Sequence, residues 1–136
     1  MRNPASFIEG LHHIGMPTTD MDVTLRFYTD FGGKVIFEKE DVDNGEPIRI
    51  CLIDFFGTVI ECYERTVTPK CVGAVDHVAF KIHDIDTMYS ICKENGYRFM
   101  EDCAKTVGSS SYWPKAVRWF IVYGPNEEKI EFCMEC

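Results

Sequence analysis

The stretch Leu11-His12-His13-Ile14-Gly15-Met16-Pro17-Thr18-Thr19-Asp20-Met21-Asp22 returns as Val75-Asp76-His77-Val78-Ala79-Phe80-Lys81-Ile82-His83-Asp84-Ile85-Asp86, without a gap. The step from His13 to His77 is 64 residues, and Gly32 to Gly96 repeats it. Such a repeat defines the structural unit, so it is read before any single element. In each copy a short apolar run with His at its third position predicts a strand, over 11–17 and 75–81. The Asp that follows suits a helix N-cap, and the second Asp falls in the first turn, where the helix dipole favours an anion. Met21, Leu25 and Tyr28, flanked by Phe27 and Phe31, give the first helix one apolar face; Ile85, Met88 and Cys92 do so for the second. Gly32 and Gly96 supply the left-handed residue that ends each helix.

Beyond each helix the period shifts toward two. Strands are predicted over 34–39, 47–54 and 58–64, and over 97–101, 117–123 and 128–134. Each half is then a βαβββ module of an α+β protein. Module one spans 8–64, a connector 65–74 and module two 75–135, all within one domain of residues 1–136. Asp43-Asn44-Gly45-Glu46-Pro47 predicts a turn or loop, Phe56-Gly57 a tight hairpin, and Gly124-Pro125-Asn126 the hairpin before the last strand. Residues 102–116, containing Gly108, Ser109-Ser110-Ser111 and Tyr112-Trp113-Pro114, have no counterpart of equal length in the first half. This long segment is a candidate lid or a variable surface loop.

Composition narrows the function classes. With 136 residues, 46% apolar and 26% charged, the chain is sized for one globular domain and has no run approaching a membrane span. A formal charge of −8, with no cluster of Lys or Arg, opposes binding to nucleic acid or anionic lipid. The first ten residues lack an apolar secretion segment, so a cytoplasmic location is expected. The seven cysteines are odd in number and are read as thiols. Cys51, Cys62 and Cys92 lie in apolar stretches. Cys133 and Cys136 form a terminal C-x-x-C without the helix N-terminus of a redox pair or the second pair of a zinc ribbon.

The last strand of each half ends alike, Val59-Ile60-Glu61-Cys62-Tyr63 against Lys129-Ile130-Glu131-Phe132-Cys133. Alternation puts Ile60 and Cys62 opposite Glu61, and Ile130 and Phe132 opposite Glu131. Ile14 and Met16, or Val78 and Phe80, likewise oppose His13 or His77. If the apolar faces pack on the helices, both His and both Glu project from the other face. Two imidazoles and two carboxylates make a ligand set for a divalent cation, which the carboxylates would neutralise. His12 should face away from this set, and His83, paired with Thr19, lies at a strand end; both are read as bystanders.

These motifs, with Arg26-Phe27-Tyr28 and Gly124-Pro125-Asn126-Glu127-Glu128-Lys129-Ile130-Glu131, resemble the vicinal oxygen chelate superfamily of glyoxalases, bleomycin-resistance proteins and extradiol dioxygenases. The resemblance runs from about Leu11 to Glu135. It implies two βαβββ modules forming a half-open mixed β-barrel with helices outside. His13, Glu61, His77 and Glu131 match the ligand quartet of glyoxalase I, which holds a divalent metal: zinc or nickel, with cobalt, manganese or iron as alternatives. The implied substrate is a small molecule with adjacent oxygens, and the implied reaction is proton abstraction beside a carbonyl through a metal-stabilised enediolate. Glu131 would be the base, and Glu61 would handle the proton on the other face.

A methylmalonyl-CoA epimerase-like activity is the alternative, although that enzyme commonly has Gln at the position of Glu61. A ring-cleaving dioxygenase or a metal-free binding protein is a further reading. Phe31-Gly32-Gly33 departs from the family's usual Leu-Gly-Met. Arg26, Lys34, Arg49, Lys115 and Arg118 are candidates for an anionic substrate group. Trp113 and Trp119 could line the pocket or pack in the core or rim. A homodimer is expected, since the edge strands 11–17 and 75–81 need cover.

Overall fold

Local hydrogen bonding at the helix ends accounts for both modules. In the computed structural model, which describes residues 4–73, 75–101, 107–110 and 114–136, the Asp20 carboxylate accepts the Val23 N–H and starts α1 (Met21–Asp30). Asp84 accepts the Thr87 N–H and starts α2 (Ile85–Glu94). Both helices then close in the same way. Gly33 N–H donates to Tyr28 O and Gly32 N–H to Thr29 O, while Tyr97 N–H donates to Cys92 O and Gly96 N–H to Lys93 O. These are the paired bonds of a Schellman stop, with Gly32 and Gly96 at φ +102° and +74° as it requires.

The chain divides into two units, residues 1–68 and 69–136. After a short 3-10 turn at Pro4–Ser6, the first unit contains β1 (Ile14–Thr18), α1, β2 (Lys34–Asp43), β3 (Glu46–Phe55) and β4 (Thr58–Glu64). Its sheet has the order β1-β4-β3-β2, with β1 parallel to β4 and the other pairs antiparallel. The second unit contains β5 (Val78–Lys81), α2, β6 (Arg98–Phe99), β7 (Gly108–Ser110), β8 (Val117–Tyr123) and β9 (Lys129–Glu135). Its order is β5-β9-β8-β6, with β5 parallel to β9 and β7 also paired to β8. Each unit is thus a βαβββ module with a mixed sheet, and β7 is an addition that the repeat did not announce.

One face of each sheet carries its core. In the first unit Cys51, Ile53, Ile60 and Cys62 are buried, as are Met21, Thr24, Phe27 and Tyr28 of α1. Tyr28 meets Phe55 edge to face at 5.3 Å. In the second, Phe120, Val122, Ile130 and Phe132 are buried with Ile85 and Cys92 of α2, and Tyr89 bridges Phe99 and Phe120. Each such large apolar side chain contributes roughly 1.5–3 kcal/mol by leaving water. The helix faces extend the expected pattern: Thr24 is buried because its hydroxyl meets that of Thr18 at 2.9 Å, while Leu25 and Met88 are only half-buried.

Several boundaries differ from the sequence reading. β1 and β5 begin at Ile14 and Val78, so His13 and His77 stand one residue before their strands. β2 runs to Asp43, and the loop predicted after it is a two-residue turn, Asn44-Gly45, with φ +51° and +79°. Its polar end, Glu40-Asp41-Val42-Asp43, has no alternation because β2 is an edge strand exposed along nearly all its length. The predicted strand 97–101 shrinks to Arg98–Phe99. The Phe56-Gly57 hairpin has the two positive φ values of a primed turn, and Gly124 N–H to Glu128 O closes the hairpin before β9. Of the candidate lid, residues 102–106 and 111–113, Trp113 included, lie outside the described residues.

Candidate functional site

Strand register sets the site. Gly15 pairs with Glu61 across β1 and β4, and Ala79 pairs with Glu131 across β5 and β9. His13 and His77 stand just outside the strands, two residues before Gly15 and Ala79, and each reaches the carboxylate of its own module. The result is the same pair twice: His13 Nε2 to Glu61 Oε2 at 3.3 Å, and His77 Nε2 to Glu131 Oε2 at 3.4 Å. Ligand atoms about 2.1 Å from one cation stand roughly 3.0–3.4 Å apart for bond angles between octahedral and tetrahedral. Each pair therefore fits a shared divalent metal in donor chemistry and spacing. Among the described residues no group of three or more His, Cys, Asp or Glu gathers around one point.

The two pairs differ in what holds them. His77 Nδ1 lies 2.9 Å from Asp76 Oδ2, and Lys129 Nζ lies 3.2 Å from Asp76 Oδ1. The carboxylate engages Nδ1 and leaves Nε2 facing Glu131. The His77 and Lys129 contacts also hold the Asp76 carboxyl below its usual range. His12 occupies the corresponding place in the first module, where its Nδ1 lies 2.8 Å from His13 Nδ1, with the rings at an interplanar angle of 80°. The expectation that it faces away fails because His12 and His13 precede β1, where strict alternation does not apply. His83 is exposed.

Glu131 is the more enclosed carboxylate, its side chain 16% exposed against 36% for Glu61. Burial pushes the Glu131 carboxyl up, and His77 opposes this. Around it the second module forms a cavity of about 630 Å³. Trp119, Ile121, Met100 and Cys133 line it, with His77, Lys129 and Glu131 at its polar side. Alternation explains the set: Trp119 and Ile121 share one face of β8, and Glu131 and Cys133 the matching face of β9. Gly108, opposite Trp119, is tightly approached by the indole, which would lie within 2.9 Å of an added Cβ. The Cys133 thiol is pushed up by burial and by the nearby carboxylates.

Three of the five candidate anion-binding cations are already engaged. Arg49 Nη1 meets Asp22 at 2.6 Å and its Nη2 meets Glu38 at 2.7 Å, while Arg118 grips Asp86 through two bonds. Asp22 and Asp86 are repeat equivalents, so the pair joining helix start to sheet is also duplicated. Lys115 Nζ lies 3.6 Å from Glu135, and Arg26 and Lys34 are exposed. Cys51, Cys62 and Cys92 are buried thiols. No helix among the described residues is long and apolar enough to cross a membrane.

The profile of the Glyoxalase/Bleomycin resistance protein/Dioxygenase superfamily matches residues 10–132. The chain belongs to that superfamily. The uncharacterized protein YwbC of Bacillus subtilis (strain 168) is 23% identical over 128 residues, 90% of this chain and 94% of YwbC. Three solved structures show the same fold. A glyoxalase family protein of Enterococcus faecalis has a TM-score of 0.71 at 16% identity, covering 93% of this chain and 98% of its own. FosX, the fosfomycin resistance protein of Listeria monocytogenes in complex with Mn(II) and sulfate, has 0.72 at 18%, covering 95% and 94%. The trypanothione-dependent glyoxalase I of Leishmania major has 0.70 at 18%, covering 94% and 88%. The superfamily includes enzymes that act on small molecules, and some relatives bind divalent metals.

Proposed function

We propose that the protein is a metal-dependent lyase or isomerase of the glyoxalase type. His13, Glu61, His77 and Glu131 would together hold one divalent metal, zinc or nickel in the first instance. The observation that carries this reading is the recurrence, in both modules, of one His–Glu pair at 3.3 and 3.4 Å, the spacing of two donors on one divalent cation. The metal would supply Lewis acidity toward two adjacent substrate oxygens, acidifying the C–H beside the carbonyl. Glu131 accepts the proton from that carbon, and its burial makes it a stronger base than an exposed Glu. Glu61 delivers or receives the proton on the opposite face. Asp76 fixes the His77 ring through Nδ1, and the apolar wall of Trp119 and Ile121 keeps water from the reacting carbon. The reading includes a homodimer in the cytoplasm, where free thiols persist.

The test is isomerisation of hemithioacetals formed from methylglyoxal or phenylglyoxal, run beside an acyl-CoA epimerisation assay on the metal-loaded protein. Glu131→Gln should lower kcat by about 100-fold or more, the usual loss for a removed general base. Metal-loaded protein that turns over none of these substrates contradicts the reading.

A further inference from the structure

We infer that the substrate carries, next to its chelating oxygens, an uncharged apolar arm of aryl or branched-alkyl size, seated in the second-module cavity against Trp119, Ile121 and Met100. The inference rests on the reading above for the chelating end only. About 630 Å³ lies within the 300–1,000 Å³ of small-molecule sites and leaves room for a ring beyond two oxygens held at His77 and Glu131. The deeper wall is apolar, Ile121 and Val117 being 6% and 5% exposed. Trp119 presents an indole whose position Gly108 permits, since a side chain there would collide with the ring.

Charge excludes the opposite kind of arm. The described lining holds three carboxylates, Asp76, Glu131 and Glu135, against the ammonium groups of Lys81 and Lys129. Each of these lysines is already beside a carboxylate, Lys129 at 3.2 Å from Asp76 and Lys81 at 3.6 Å from Glu135. With Glu131 given to the metal, Asp76 and Glu135 balance the two lysines, so a carboxylate or phosphonate on the arm meets no surplus cation and would have to displace one of these pairs, whereas a ring displaces only water.

Hydroxamates supply two adjacent oxygens with interchangeable arms. Calorimetry on the metal-loaded protein should find benzohydroxamate at least about tenfold tighter than acetohydroxamate, as expected for the added apolar area. The monohydroxamate of succinate, with an anionic arm, should be no tighter than acetohydroxamate. Met100→Ala and Trp119→Ala should each shrink the aryl preference, and if Trp119→Ala misfolds the wild-type ratio still decides. A benzo-to-aceto ratio near one, or an anionic arm that binds as well as the ring, overturns the inference. Methyl NMR of metal-free protein titrated with benzyl alcohol separates the two readings. Shifts confined to the Met100 and Ile121 methyls support the arm site even if no metal binds and the proposed function fails. Unmoved methyls overturn the arm site whatever the metal result.

Discussion

Asp76 stands between a candidate ligand and a cation, its Oδ2 2.9 Å from His77 Nδ1 and its Oδ1 3.2 Å from Lys129 Nζ. Losing such an outer partner usually weakens metal binding about 10–100-fold, because the ring is no longer fixed and becomes a poorer donor. Asp76→Ala should therefore lower metal affinity by that factor in a competition titration while leaving thermal stability nearly unchanged. Unaltered affinity would make Asp76 a surface residue only. His12→Ala should weaken binding less, since a neutral ring polarises its neighbour less than a carboxylate does. The four candidate ligands were legible because duplication turns ordinary residues into a pattern. Asp76 was not, although it precedes His77 just as His12 precedes His13. The two residue types differ, so a search for identity passes over them, and their position before a strand defeats alternation.

Helix ends are where short-range chemistry decided the elements. Removing the Asp20 cap by Asp20→Ala should cost about 1 kcal/mol in denaturant unfolding. Gly33 has a different reason to be glycine: an added Cβ would lie 2.8 Å from Tyr28 O and 3.1 Å from the Ile53 side chain. Gly33→Ala should destabilise by about 1–3 kcal/mol as α1 is pushed from its sheet, with a lower urea midpoint and unchanged m. The α2 start should be acid-labile. Hydrogen bonds from Thr87 hold the Asp84 carboxyl low, and Arg118 does the same for Asp86. A lowered carboxyl adds stability in full above its unfolded pKa of about 3.9, and that stability fades as pH falls through the lower folded value. Protection factors of α2 amides, which correct for the intrinsic pH effect, should fall as pH drops below about 4, and Asp86→Asn should flatten that change.

Elements with strong periodicity, such as β8 and β4, kept the bounds expected of them. β2 did not, because an edge strand exposed on both faces shows no period-two signal. The two-residue β6 likewise owes its pairing with β8 to tertiary context that no local pattern announces.

At the scale of the molecule, the repeat places one imidazole beside one carboxylate in each module, at equivalent positions. The modules have diverged around them: the second adds β7, an Asp–Lys pair behind its histidine and the Trp119 cavity. On the proposed reading, ligation would be shared by the two modules and the apolar substrate contact would belong to the second. The central claim is that the four residues serve one metal. The most direct test is elemental analysis with a metal titration on untagged, metal-replete protein. We predict one divalent ion per His13–Glu61–His77–Glu131 set, with binding lost in both Glu61→Ala and Glu131→Ala. A folded wild-type protein that retains no divalent metal, or binding that survives either substitution unchanged, would contradict it.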